Sequence, residues 1–385
     1  MLTQQILIES KSDLPSAIQS INLASADLVF AFGAVPYFSD PTLHAALRAR
    51  FPAAKLLGCS TAGEIRGARV FDNTCVITAI DFEGSEVREA TTTIEGMADS
   101  FAAGERLARA LPLEELQGVF VVGTGVKING SALVAGMQKV LGVTVSLSGG
   151  LAADAGAFRE TWTLSNSGAA SDQLVAVGLY GQRVRIGSGS FGGWEPFGPA
   201  RKVTRSDGNV LYELDGERAL DIYKRYLGEH ARSLPGSGLL FPFEMLTKDR
   251  DRSGIIRTIL GVDEQDGSLT LAGDIDPNGY LKLMQASTDR LVEGAGRAAE
   301  RSAAASSKLV SPTVALLVSC IGRKLVMGDR VDEEVEAVAG RFSDQSTVAG
   351  FYSNGEICAA EAHGDCRLHN QTMTVTWIGE SAAAA

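Results

Sequence analysis

Gly58-Cys59-Ser60-Thr61-Ala62-Gly63-Glu64-Ile65 and Gly350-Phe351-Tyr352-Ser353-Asn354-Gly355-Glu356-Ile357 are one turn written twice, each following an Arg-Phe pair, Arg50-Phe51 and Arg341-Phe342. Each closes a strand–helix–strand pattern. In the first, the apolar run Leu28–Gly33 leads to Ser39-Asp40-Pro41, which supplies a cap, an early acid and an early proline for a helix. Leu43, Leu47 and Phe51 then recur at spacing four and give that helix one apolar face. In the last, residues 313–322 lead to a helix opened by Asp329, with Asp332 and Glu333 where acids meet the positive end of the helix dipole. A further copy lies between them. Residues 118–125 form its strand, Asn129 caps its helix, and residues 143–154 return. Each copy is followed by an alternating run: CVITAI, QLVAVGLYG and MTVTWIG. The pattern predicts an α/β protein of two similar domains, built from duplicated β-α-β units with mixed sheets. The boundary is placed at Asp215-Gly216, giving domains over residues 1–215 and 216–380 and a tail over 381–385.

Composition narrows the function. With 46 acidic and 35 basic residues the net charge is −11, a poor match to nucleic acid or an anionic membrane surface. The N-terminal stretch has neither a basic segment nor a sustained apolar one, and no run approaches a membrane span, so the expectation is a cytoplasmic protein with reduced cysteines. Glycine reaches 43 residues, which predicts tight turns and close backbone approaches.

Isolated motifs carry little chemistry. Gly187 to Gly192 matches a dinucleotide fingerprint, but Pro196 and Pro199 stop the helix that would hold a pyrophosphate, so it reads as a glycine-rich turn. Gly58 to Gly63 is one residue too long for a hydrolase elbow, and no triad completes it. Asp274, Asp276 and Asn278-Gly279 open like a calcium loop whose closing position is Gln285, so a plain turn is the better reading. Cys358, His363, Cys366 and His369 form the one dense set of thiols and imidazoles, a pattern that suits zinc or iron without matching a standard zinc-finger spacing.

LLGCSTAGEI, LSGGLAAD, the Trp194 to Pro199 segment, ELDGERALDIYKRYLG, GFYSNGEI and LHNQTMTV together resemble the FIST family, bacterial and eukaryotic sensory domains with an N-terminal and a C-terminal half. The likeness runs from about residue 27 to 379, and no output module is read after Ile378. The chain thus looks like the free-standing NosP group, which binds haem, senses nitric oxide and regulates a partner histidine kinase. The resemblance implies a non-enzymatic ligand-binding sensor. Its signature turns, Cys59, Ser60, Thr61, Gly63 and Glu64 with Gly149 and Gly150, then Asn354, Gly355 and Glu356 with Asn370, Gln371 and Thr372, would hold the ligand. Glu64 and Glu356 should occupy equivalent places.

For haem, His369 is the candidate iron ligand, because it precedes an apparent strand that fixes its ring, and Cys366 is the alternative. The other readings are a small polar metabolite such as an amino acid, a protein with zinc or with no cofactor, an enzyme of unassigned chemistry, and an adaptor that works through a signalling partner. A homodimer is compatible with all of them.

Overall fold

The computed structural model describes residues 1–304, 313–359 and 365–382. Three β-α-β units stand out. Leu28–Gly33 runs parallel to Lys55–Ser60, Leu116–Gly123 to Ser146–Leu151, and Thr313–Cys320 to Thr347–Ser353. The first strand of each pair is almost wholly apolar and buried, as expected where both faces of a parallel pair are covered. On its other side each takes an antiparallel strand, Cys75–Asp81, Gln173–Tyr180 or Met373–Glu380. A fourth strand, Leu2–Ile8, Glu86–Thr93 or Val184–Phe191, completes that side.

The remaining edge of each sheet is filled by a hairpin from a different unit. The hairpin Glu64–Arg66 and Arg69–Phe71 follows the first unit in the chain but pairs with Thr347–Ser353 of the third. Thr163–Ser165 and Gly168–Ala170 follow the second unit and pair with Lys55–Ser60 of the first. Gly355–Ala359 and Cys366–His369 follow the third and pair with Ser146–Leu151 of the second. The exchange is cyclic and yields three six-stranded mixed sheets. The α/β class, the mixed sheets and the repeated units expected from the sequence therefore hold, with the units three in number and two of the three sheets drawing strands from both sides of residue 215.

The alternation of side chains along the strands explains the layering. Phe30, Phe32, Phe120, Val122, Leu316, Val318 and Phe351 face inward and form one core shared by all three sheets. There Phe30 meets Phe120 edge-on at 5.6 Å, and Phe32 meets Phe351 at 4.7 Å. Val29 and Ala31 face outward under helix Thr42–Arg50. Val119 and Val121 lie under Ser100–Arg109 and Gly130–Leu141, the latter capped by Asn129, whose Oδ1 accepts from the Ala132 amide at 3.1 Å. Ala315 and Leu317 lie under Thr288–Ala304 and Asp332–Ala339.

Residues 187–191, read as part of a glycine-rich turn, instead lie in strand Val184–Phe191. The glycines admit the helix above: a Cβ on Gly189 would stand 2.5 Å from the Ser302 amide nitrogen. Between that strand and that helix the chain builds a nine-stranded antiparallel sheet around helix Ala219–Leu227, with its own core of Leu211, Tyr223, Phe243, Leu269 and Leu283. Among the described residues no helix is long and apolar enough to cross a membrane.

Candidate functional site

The two Gly-Glu-Ile turns build the same carboxylate cradle. The Glu64 carboxylate accepts from the Thr61 hydroxyl at 2.5 Å, the Thr74 hydroxyl at 2.6 Å and the Thr74 amide at 3.1 Å. The Glu356 carboxylate accepts from the Ser353 hydroxyl at 2.8 Å, the Thr372 hydroxyl at 3.0 Å and the Thr372 amide at 3.1 Å. Just before each threonine the backbone passes through the left-handed region, at Asn73 (φ 59°) and Gln371 (φ 64°). Both glutamates are buried, and neither has a cationic partner among the described residues. Burial raises the Glu64 carboxyl to about 6 and that of Glu356 to about 8, against the hydroxyl and amide donors that oppose the shift. The expected equivalence of the two acids is thus met atom for atom.

The glycines differ. Gly63 has φ +141°, whereas Gly355 has an ordinary backbone and would bring a Cβ within 3.1–3.2 Å of the Leu368 and Leu151 methyls. Other signature residues serve packing. Cys59 lies in the shared core, where burial pushes its thiol up. The Ser60 hydroxyl donates to the Ala153 carbonyl and accepts from the Trp162 amide, tying the first unit to the second. A Cβ on Gly149 would stand 1.8 Å from the Val121 carbonyl oxygen, and one on Gly150 would stand 2.7 Å from Val318.

His369 and Thr372 lead elsewhere. They line a cleft of about 450 Å³ between the nine-stranded domain and helix Thr288–Ala304. Phe191, Trp194 and Ile256 supply apolar surface there, and the Trp194 indole donates to the Gln371 carbonyl at 2.8 Å. Arg252, Arg290, Arg297 and Arg301 face the same space. Arg252 is paired with Glu244, and Arg290 with Glu195 and Glu293. Arg297 and Arg301 stack on Phe191 at 5.3 and 4.8 Å and have no carboxylate partner among the described residues. Below the cleft, the fully buried Arg323 pairs with Glu334 and donates to the Gly192 and Leu291 carbonyls, fixing its wall.

His369 is 2 % exposed. Its Nε2 lies 3.0 Å from the Cys358 carbonyl, which makes that nitrogen the donor and leaves Nδ1 a bare acceptor without a partner among the described residues. Burial, with Arg257 and Arg367 nearby, lowers the ring to about 4, so the imidazole is neutral. Cys366 sits on the opposite face of the same strand, in the core under helix Gly130–Leu141, where its thiol meets the Leu147 carbonyl. His369 and Cys366 thus cannot share one ion, and His363 lies outside the described residues. Among the described residues no three His, Cys, Asp or Glu side chains gather to hold a metal ion.

The cleft arginines escaped the sequence reading although their signal was present. Positions 290, 297 and 301 are spaced by seven and four and so fall on one face of helix Thr288–Ala304.

Family sequence models match the chain in order, the FIST N domain over residues 27–217 and the FIST C domain over residues 219–359. A stretch of 90 residues is 31% identical to uncharacterized protein MJ1623 of Methanocaldococcus jannaschii, covering 23% of this chain and only 17% of that protein. With both halves matched in sequence order across most of its length, the chain belongs to the FIST family, whose domains serve sensing in signal transduction.

Proposed function

We propose that this chain is a sensor whose ligand occupies the arginine-lined cleft above His369, and that the ligand is haem. The observation that carries the reading is the His369 ring: buried, neutral, lining the cleft, with one nitrogen engaged by a backbone carbonyl and the other without a partner among the described residues. An iron ligand needs such a neutral imidazole, oriented by a hydrogen bond through its second nitrogen. Phe191, Trp194 and Ile256 would flank the macrocycle, and Arg297 and Arg301 would meet its carboxylates. Haem held through one imidazole supplies an open coordination position for a diatomic gas such as nitric oxide. The nine-stranded domain, which forms one wall of the cleft, would carry the signal to a partner histidine kinase or another signalling protein.

The test is a haem titration followed by absorbance. The wild-type chain is expected to give a Soret band that shifts with nitric oxide. His369→Ala should weaken haem retention by about tenfold or more, while Cys366→Ala, folded, should leave the spectrum unchanged. An unchanged spectrum in His369→Ala would overturn the assignment. The second reading, an acidic metabolite, rests on Arg297 and Arg301. It predicts a colourless protein that small dicarboxylates stabilise against heat, an effect lost in Arg297→Ala.

A further inference from the structure

The position equivalent to the interior of the first turn is filled by the protein itself. There the Lys324 ammonium donates to the Ala62 carbonyl at 2.8 Å and pairs with the Asp72 carboxylate. In the second turn Asn354 stands where Ala62 does, two residues before the glutamate, and Asn370 stands where Asp72 does; Asp72 and Asn370 each follow the residue paired across the hairpin with the glutamate. Among the described residues no lysine reaches them. Instead they line a small pocket between the cap of helix Gly130–Leu141 and the nine-stranded domain, distinct from the cleft.

Asn370 is 1% exposed, and neither its Oδ1 nor its Nδ2 has a partner among the described residues; Asn354 is 9% exposed, and its Oδ1 has none there either. Such groups carry a desolvation penalty unless something meets them. The other two amides of the pocket are already engaged. Asn129 caps its helix and donates to Asp274, and Asn209 donates to the Leu271 carbonyl.

We propose that this pocket binds a neutral primary amide. The free groups are two amide oxygens and one NH₂, and their complement is one carbonyl oxygen and two N–H donors, the inventory of –CONH₂. Among the described residues no charged side chain lines the pocket, so a carboxylate or an ammonium would be buried there unpaired. Its volume of about 40 Å³ exceeds the roughly 10–15 Å³ that one water needs. Met97 and Leu260, 48% and 40% exposed, offer an apolar rim for whatever carries the amide.

The experiment uses the full chain and three isosteric probes, propionamide, propionate and n-propylamine, read by the side-chain amide NMR signals of Asn354 and Asn370. Propionamide is expected to shift both signals saturably and to bind about tenfold or more tightly than either charged isostere. Leu260→Trp, which plugs the exposed rim without touching the core, should abolish the shifts, as should Asn370→Leu. If Asn370→Leu does not fold, Leu260→Trp alone decides. Signals that never saturate with propionamide mark a pocket for ordered water only and overturn the proposal. So do equal shifts with propionate, or undiminished binding in Leu260→Trp. Loss or retention of haem in the cleft does not enter any of these readouts.

Discussion

The turn at residues 61–74 and the turn at residues 353–372 share a skeleton and differ in what fills it. In both, a buried glutamate ties the strand before the hairpin to the strand after it through one side-chain hydroxyl and one threonine. Around the first, Phe71 and Asp72 close the structure, with Lys324 laid across it. Around the second, the same two places hold His369 and Asn370, buried and incompletely partnered. Symmetry makes the scaffold, and the departure from symmetry makes the sites. A polar group that a fold leaves unmet in one copy, while its twin is met internally, is better evidence for a ligand than either copy alone.

Removing the cradles tests the shared part and should have the largest effect. Glu64→Ala and Glu356→Ala each strand two hydroxyls and an amide in the interior, so each should destabilise by on the order of 3 kcal/mol or more in chemical denaturation. A loss confined to one of them would show that the two turns are not equivalent.

The two acids should separate by pH. Each has a folded-state value raised above its ordinary 4.5, so the folded chain keeps a proton that the unfolded chain has released. That contribution is complete below 4.5 and is lost as pH rises, through about 6 for Glu64 and about 8 for Glu356. Glu356→Gln should therefore flatten the decline of stability across the whole window to about 8, and Glu64→Gln only its part below about 6. Identical pH profiles for the two variants would contradict the different extents to which the two carboxyls are raised.

The smallest effect sharpens the backbone contrast. Gly63→Ala forces a side chain onto φ +141° and should cost about 1–3 kcal/mol, while Gly355→Ala asks two leucine methyls to give way and should cost less. Thermal midpoints of the two variants settle the order.

Much of this was readable from sequence because it is local. Apolar runs, the Asn129 cap and the doubled turn announce the β-α-β units, and the match of Glu64 to Glu356 needs only alignment. The hairpin exchange was not readable, since a short alternating hairpin satisfies any open sheet edge and nothing in Glu64–Arg66 names the strand it will join. Gly149 and Gly150 mark close approach, as the sequence suggests, and what their positions approach is the Val121 backbone and the Val318 side chain, partners that spacing along the chain does not name.

The cyclic exchange also governs how the chain can be made. As the polypeptide emerges, the first sheet waits for residues 163–170, the second for residues 355–369, and the third takes in residues 64–71, synthesised long before its own strands. Until the last hundred residues arrive, the early hairpin has no sheet and the shared core of the first two sheets lacks the third layer that completes it. Such far-separated pairings close slowly and leave edges exposed meanwhile. A cut between the two family halves would therefore yield two fragments each missing an edge strand, rather than two working domains, and the three interlocked units are gained or lost together.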